Sequence, residues 1–372
     1  MKVLLIVLSL FAVVQYIPAQ NKMPVRIDTL AERLGKDFMK QEGTVGLSIG
    51  VYQNGEKHFF NFGSQVKDKQ VPVTSKTIYE IGSITKTFVS LVLANAVVEK
   101  KLALNDDVRK YLDGNFPGLE YKGKPITLAH LANTTSRIPN WLPLTPSRIT
   151  DAPGDSTAFL RESIYGGYSR KDFFNALATV RPDTLPGTKS AHSNAAAQLL
   201  AYILENVYKS PINELVEKYV LSPLKMKGTG FLVSGNKNPL LAKGYNVKGQ
   251  AMPYFTTEFL KGVGGLNSSA SDLVQFIEYQ LSSGNNAIDL SHQTSFNAGY
   301  YQIGLNWLIY KHENGYRQLW TDGGTYGFCS YLVIYPELNS GVVLLANESD
   351  DNVPGKLGDI AYQLFLLMGQ KH

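Results

Sequence analysis

The sequence predicts an α/β fold of the α+β kind, with a sheet assembled from both ends of the chain and a largely helical insertion between them. Three observations carry this expectation. Near the N-terminus Val45, Leu47, Ile49 and Val51 alternate with smaller or polar residues, and Asn54-Gly55 supplies a hairpin turn before residues 57–62 return. Near the other end, residues 331–335 and 341–346 are apolar, strand-like runs joined by the short segment 336–340. Between these regions several apolar segments read as helices.

Taken in order, residues 26–41 form an amphipathic pattern with Leu30, Leu34 and Phe38 at helical spacing, and the hairpin follows. Residues 91–102, 128–132, 173–180, 195–207 and 272–281 read as helices separated by Gly/Pro-rich loops, of which 139–167 is the long one. Residues 360–368 close the chain as an apolar helix. The sheet part is therefore expected from about 21–80 and 255–372, and the helical part from about 81–254. There is no repeat and no flexible linker.

Composition narrows the class. At 372 residues the chain exceeds the usual size of one hydrophobic core, and its 44% apolar content excludes a disordered, collagenous or low-complexity protein. One cysteine excludes an intrachain disulfide, a Cys-based zinc site and an iron–sulfur cluster. The net charge of +5 is modest, and no Lys/Arg run of nucleic-acid type is present.

Residues 1–20 read as an export signal: Lys2 supplies the positive start, residues 3–14 are apolar apart from Ser9, and Ala19 offers a small residue for cleavage. That run is shorter than the 18 or more residues of a spanning helix. No later run is long enough either, so the mature chain is expected to be exported, periplasmic or secreted, without a membrane anchor.

Chemistry concentrates in three segments. In Tyr79-Glu-Ile-Gly-Ser-Ile-Thr-Lys-Thr-Phe88, Ser83 and Lys86 are three apart at the start of an apolar run. On a helix this puts both side chains on one face. A serine hydroxyl needs a base beside it, and lysine serves when burial depresses its pKa. A helix N-terminus there favours negative charge near the serine. By itself Ser-x-x-Lys is common enough that an N-capping serine with a solvated lysine explains it better. Two further segments accompany it: Pro186-Gly-Thr-Lys-Ser-Ala-His-Ser-Asn194, ahead of a helical run, and Leu319-Trp-Thr-Asp-Gly-Gly-Thr-Tyr-Gly-Phe328, ahead of a strand.

Three such motifs in this order resemble the serine β-lactamase and penicillin-binding protein superfamily, and in particular its branch of class C β-lactamases, D-Ala-D-Ala carboxypeptidases and related esterases. Segments 126–131, 134–139, 221–224, 264–273 and 301–307 fit the same pattern, so the resemblance covers nearly the whole mature chain. It implies one antiparallel sheet flanked by helices plus an inserted helical subdomain, with the site between them. It also implies a serine hydrolase acting through an acyl-enzyme on an amide, β-lactam or ester carbonyl, without metal or cofactor. Ser83 matches the acylated nucleophile and Lys86 its proton partner. Asn194 matches the asparagine that hydrogen-bonds the substrate amide and helps hold the lysine, and Gly324 the residue whose N–H completes the oxyanion hole with that of Ser83.

Two positions depart from the pattern. The tyrosine of the second motif is His192 here, which either shares the proton traffic or only fills the tyrosine's space. The third motif reads Thr321-Asp322-Gly323, where the family places Lys or His first. The missing cation weakens capture of a substrate carboxylate, which disfavours penicillins and peptides ending in a free carboxylate more than esters. β-Lactams, D-amino-acid peptides and carboxylic esters compete as substrates, with a lean toward esterase or peptidase. A non-catalytic binding homologue is the reading from another class. Cys329 is expected to be a buried small residue, His130 a satisfied boundary residue, and Glu80 and Asp183 structural. Trp141 and residues 165–168 either shape the acyl pocket or are surface aromatics in a loop. The oligomeric state is left open.

Overall fold

A computed structural model of the chain describes residues 26–231, 238–350 and 352–369. The proposed export signal, residues 1–20, lies outside the described residues. The first helix, α1 (Ile27–Phe38), buries Leu30, Ala31, Leu34 and Phe38 as one stripe. It leads into β1 (Gly46–Gln53) and β2 (Glu56–Gly63). Asn54 and Gly55 both adopt positive φ, +50° and +95°, which is the geometry of a two-residue hairpin turn.

A short strand, β3 (Ile78–Glu80), precedes the central helix α2 (Thr85–Val98), which is buried along most of its length. The helical region that follows includes α3 (Gly154–Gly166) and α4 (Asn194–Tyr208). Next come β4 (Leu266–Ser269) and α5 (Ala270–Gln280), then β5 (Phe296–Asn297), β6 (Gln302–Ile303), β7 (Leu308–Lys311), β8 (Arg317–Gly324), β9 (Cys329–Tyr335) and β10 (Ser340–Ala346). The closing helix, α6 (Val353–Met368), starts seven residues before the expected 360, because Val353 and Leu357 are buried too.

The main sheet has eight strands in the order β2-β1-β10-β9-β8-β7-β6-β5, every pair antiparallel. N-terminal and C-terminal strands meet where Leu47 pairs with Ala346 and Val51 with Val342. Both faces of its middle are covered. Leu47, Ile49, Val51, Val333, Leu344 and Ala346 pack under α1 and α6. Leu332, Ile334, Val343 and Leu345 join the larger core shared with α2, α4 and α5. Such two-sided burial explains why β10 is apolar at nearly every position rather than alternating.

One expectation is corrected. Segment 139–167 is not a plain loop: it contains the helices Ser147–Thr150 and Gly154–Gly166. Their prolines, Pro146 and Pro153, stand at the N-caps, where a missing N–H costs nothing. Ile149, Ile164 and Tyr165 then bury against Phe259, Leu260 and Val263 in a small separate core. None of the described helices is long and apolar enough to cross a membrane.

Candidate active site

Ser83 sits in a single tight turn, Gly82–Ile84, between β3 and α2. Gly82 has φ +49°, and a Cβ added there would meet Gly324 N at 2.7 Å and Gly324 O at 2.8 Å. From the other side, a Cβ on Gly323 would come within 2.1 Å of Ile81 O and 2.9 Å of Ser83 N. The end of β8 and the serine turn therefore touch backbone to backbone, an approach that only glycine permits. Ser330, opposite Gly323 in the β8–β9 register, is fully buried and stitches the two together. Its hydroxyl donates to Ile81 O at 2.9 Å and leans toward Gly323 O at 3.3 Å. Sequence reasoning passed over Ser330, since a lone serine in a strand carries no pattern.

Lys86 is in the first turn of α2, one turn beyond Ser83. Its Nζ donates to Ser83 Oγ at 2.6 Å and to the Val263 carbonyl at 3.0 Å. Burial, opposed by the Asp322 carboxylate, pushes the Lys86 pKa down to about 7. The neutral amine is thus accessible near neutral pH, as a base requires. Asp322 lies on the exposed side of β8, and lost hydration lifts its carboxyl against the pull of Lys86.

The second motif opens α4. Ser193 caps that helix by accepting from Ala196 N at 3.0 Å, and its hydroxyl donates to Pro139 O at 2.9 Å. Asn140 Oδ1 accepts from Asn194 N at 3.0 Å and lies 3.2 Å from His192 Nδ1. Because the backbone N–H can only donate, the oxygen of Asn140 faces this pair, and His192 Nδ1 must carry the proton. Nε2 is left as the acceptor. The imidazole keeps an edge to solvent, yet the packing beneath it, with the Lys86 cation adding to it, pushes its pKa down to about 4. His192 is consequently neutral near pH 7.

Ser83 and Asn194 open onto a cleft of about 540 Å³, whose wall also includes Gly324, Val263 and Trp141. Thr321 is buried on β8; neither it, Asp322, Gly323 nor His192 is part of that wall. Glu80 is buried just before the serine turn and accepts from Phe255 N at 2.6 Å and Thr325 Oγ1 at 2.5 Å. Burial raises its carboxyl to about 7. It thereby ties the residue after Gly324 to β3.

Cys329, His130 and Asp183 fall outside this arrangement. Cys329 is buried, with its thiol pushed up to about 11 chiefly by burial. His130 Nδ1 accepts from Thr127 N at 3.1 Å in a capping box, and Asp183 pairs with Arg137 at 2.6 Å. Trp141 lines the cleft, whereas Tyr165 is buried behind it. Among the described residues no group of three or more His, Cys, Asp or Glu is placed to hold a metal ion.

The family model described as Beta-lactamase matches residues 31–366. The chain belongs to the Beta-lactamase family. A β-lactamase of Pseudomonas fluorescens is 26% identical over 88% of this chain and 94% of its own length. The D-alanyl-D-alanine-carboxypeptidase/endopeptidase AmpH of Escherichia coli K12 is 24% identical over 86% of this chain and 84% of its own. A crystal structure of a β-lactamase/D-alanine carboxypeptidase from Pseudomonas syringae superposes with a TM-score of 0.76, at 22% identity over 91% of this chain and 98% of that one. A class C β-lactamase superposes at 0.78, with 21% identity over 95% and 99%. These two structures have the same antiparallel sheet-and-helix fold as this chain.

Proposed function

We propose that this Beta-lactamase family protein is a serine hydrolase that works through an acyl-enzyme. The observation that carries the reading is the 2.6 Å contact between Lys86 Nζ and Ser83 Oγ, with the lysine held near pKa 7 by burial. Ser83 Oγ attacks a substrate carbonyl while its proton passes to neutral Lys86. The Ser83 and Gly324 N–H groups stabilise the oxyanion where β8 meets the serine turn. As the C–N or C–O bond breaks, the proton is returned to the leaving group by Lys86 directly or relayed across His192 Nε2. Water then adds to the ester on Ser83 by the reverse route and releases the acid. Asn194 holds the acyl part in the cleft.

The substrate is an amide, β-lactam or ester carbonyl. Relatives named β-lactamase and D-alanyl-D-alanine carboxypeptidase support the amide side of that class. Thr321, buried and uncharged where the family usually offers a cation, favours peptidase or esterase activity over efficient β-lactam hydrolysis. We read the protein as exported, on the pattern of residues 1–20.

Kinetics on nitrocefin and a short-chain p-nitrophenyl ester test the reading. Wild type is expected to turn over at least one of them, the ester faster, and Ser83→Ala to lose at least about 10⁴-fold in kcat. A Ser83→Ala variant as active as wild type overturns the mechanism.

A further inference from the structure

The wall of the cleft carries one charged side chain among the described residues. Helix α3 presents Gly154, Thr157, Ala158 and Arg161 to it, at positions i, i+3, i+4 and i+7 of one face. Its other stripe, with Ile164 and Tyr165, is held in the satellite core by Phe259 and Val263. Rolling the helix to turn Arg161 away would expose that core, so the cation's aim is set by packing.

Arg161 makes no hydrogen bond or ion pair with any described residue; its guanidinium carbon lies 5.6 Å from the centroid of the Trp141 ring. Neighbouring carboxylates are already engaged. Glu162 accepts from Thr256 N, Thr256 Oγ1 and Thr257 Oγ1 at 3.0, 2.7 and 3.2 Å, and Glu80 is held by Phe255 and Thr325. A planar five-donor fork with no acceptor among the described residues, facing a cleft beside an aromatic ring, is matched to a carboxylate.

The cleft's position says which part of a substrate that carboxylate belongs to. Its wall contains Ser83, Asn194, Gly324 and Tyr326 but neither His192 nor Thr321. On the acyl-enzyme reading His192 and Thr321 serve the leaving group, so the cleft houses the part that stays on Ser83. Resting on the acyl-enzyme reading above, we propose that Arg161 selects substrates whose acyl part carries a carboxylate, its apolar spacer lying along Trp141 and Phe255.

A matched pair of esters tests this: the p-nitrophenyl half-ester of adipic acid, and the same compound with its free carboxylate methylated. Wild type is expected to prefer the anionic ester in kcat/KM. Arg161→Gln should lower the anionic-to-neutral ratio roughly 10- to 100-fold, mostly through KM, and Arg161→Lys should restore part of it. High salt should narrow the wild-type preference. Turnover of both esters with a ratio that does not respond to Arg161 overturns this inference alone. No turnover of either ester, with no fluorophosphonate label on Ser83, overturns the hydrolase reading and this inference with it.

Discussion

The wall that carries Ser83 and the wall that carries Arg161 face one cleft but are held in different ways. The serine wall is where the end of β8 meets the start of α2 on the larger core. Gly82, Gly323 and Gly324 bring a β8 strand end against the turn before α2, Ser330 and Glu80 pin it with hydrogen bonds, and the Val263 carbonyl holds Lys86. The arginine wall is one helix resting on a satellite core whose buried members are Ile149, Ile164, Tyr165, Phe259, Leu260 and Val263. Placing reacting atoms tolerates little displacement, so that task falls to the large shared core. Choosing an acyl group tolerates more, and a small patch of packing suffices for it. Val263 belongs to both: its carbonyl accepts from Lys86 and its side chain packs in the satellite core under α3.

This difference can be broken from either side. The larger effect should come from Gly323→Ala. The added methyl would press on Ile81 O and Ser83 N, pushing the strand off the serine turn. We expect a loss on the order of 10²–10³ in kcat with any substrate, and a stability cost of about 1–3 kcal/mol, read by kinetics and thermal unfolding. Gly324→Ala is the stability control, since its Cβ would meet only Phe328 O at 4.0 Å. Equal stability of the two variants would mean that the close approach is not there.

On the other wall, Phe259→Ala removes a ring that packs edge-on against Tyr165 at 6.0 Å and Tyr168 at 5.9 Å. A cost of about 3 kcal/mol is expected, most of it spent on loosening residues 139–167. Faster proteolysis or hydrogen exchange in that segment should accompany a reduced anionic-to-neutral ester ratio, with Ser83 still labelled by a fluorophosphonate. Equal loss of both esters would show that segment 139–167 supports the chemistry and not only the choice.

The same division explains what could be read in the sequence. The hairpin at Asn54-Gly55 and a sheet drawn from both ends of the chain were legible, because strong periodicity and turn chemistry mark them locally; that the sheet is antiparallel and flanked by helices was implied by the family resemblance of the three motifs. The closeness of Ser83 to Lys86 followed from helical spacing. Ser330, Asn140 and Val263 were not legible: each acts through a contact with a residue far away in the chain, and a backbone carbonyl such as that of Val263 has no sequence signature. Arg161 was hidden for another reason. Pro146, Pro153 and the Gly166-Gly167 pair made 139–167 look like a loop, whereas these residues cap its helices. Without the helix there was no face on which to place the arginine.

In the proposed mechanism a buried Lys86 with a pKa of about 7 activates Ser83. The sign follows from the base's role: only the neutral amine accepts the serine proton, so acylation should rise with pH as Lys86 deprotonates and then level off. His192, with its pKa near 4, stays neutral throughout and adds no step of its own between pH 5 and 9. The most direct measurement is the rate of fluorophosphonate labelling against pH, with intact mass and peptide mapping to locate the adduct. The account predicts one label on Ser83, formed at a rate that climbs through about pH 7 to a plateau. A label elsewhere, or a rate on Ser83 that ignores pH across that range, would contradict it.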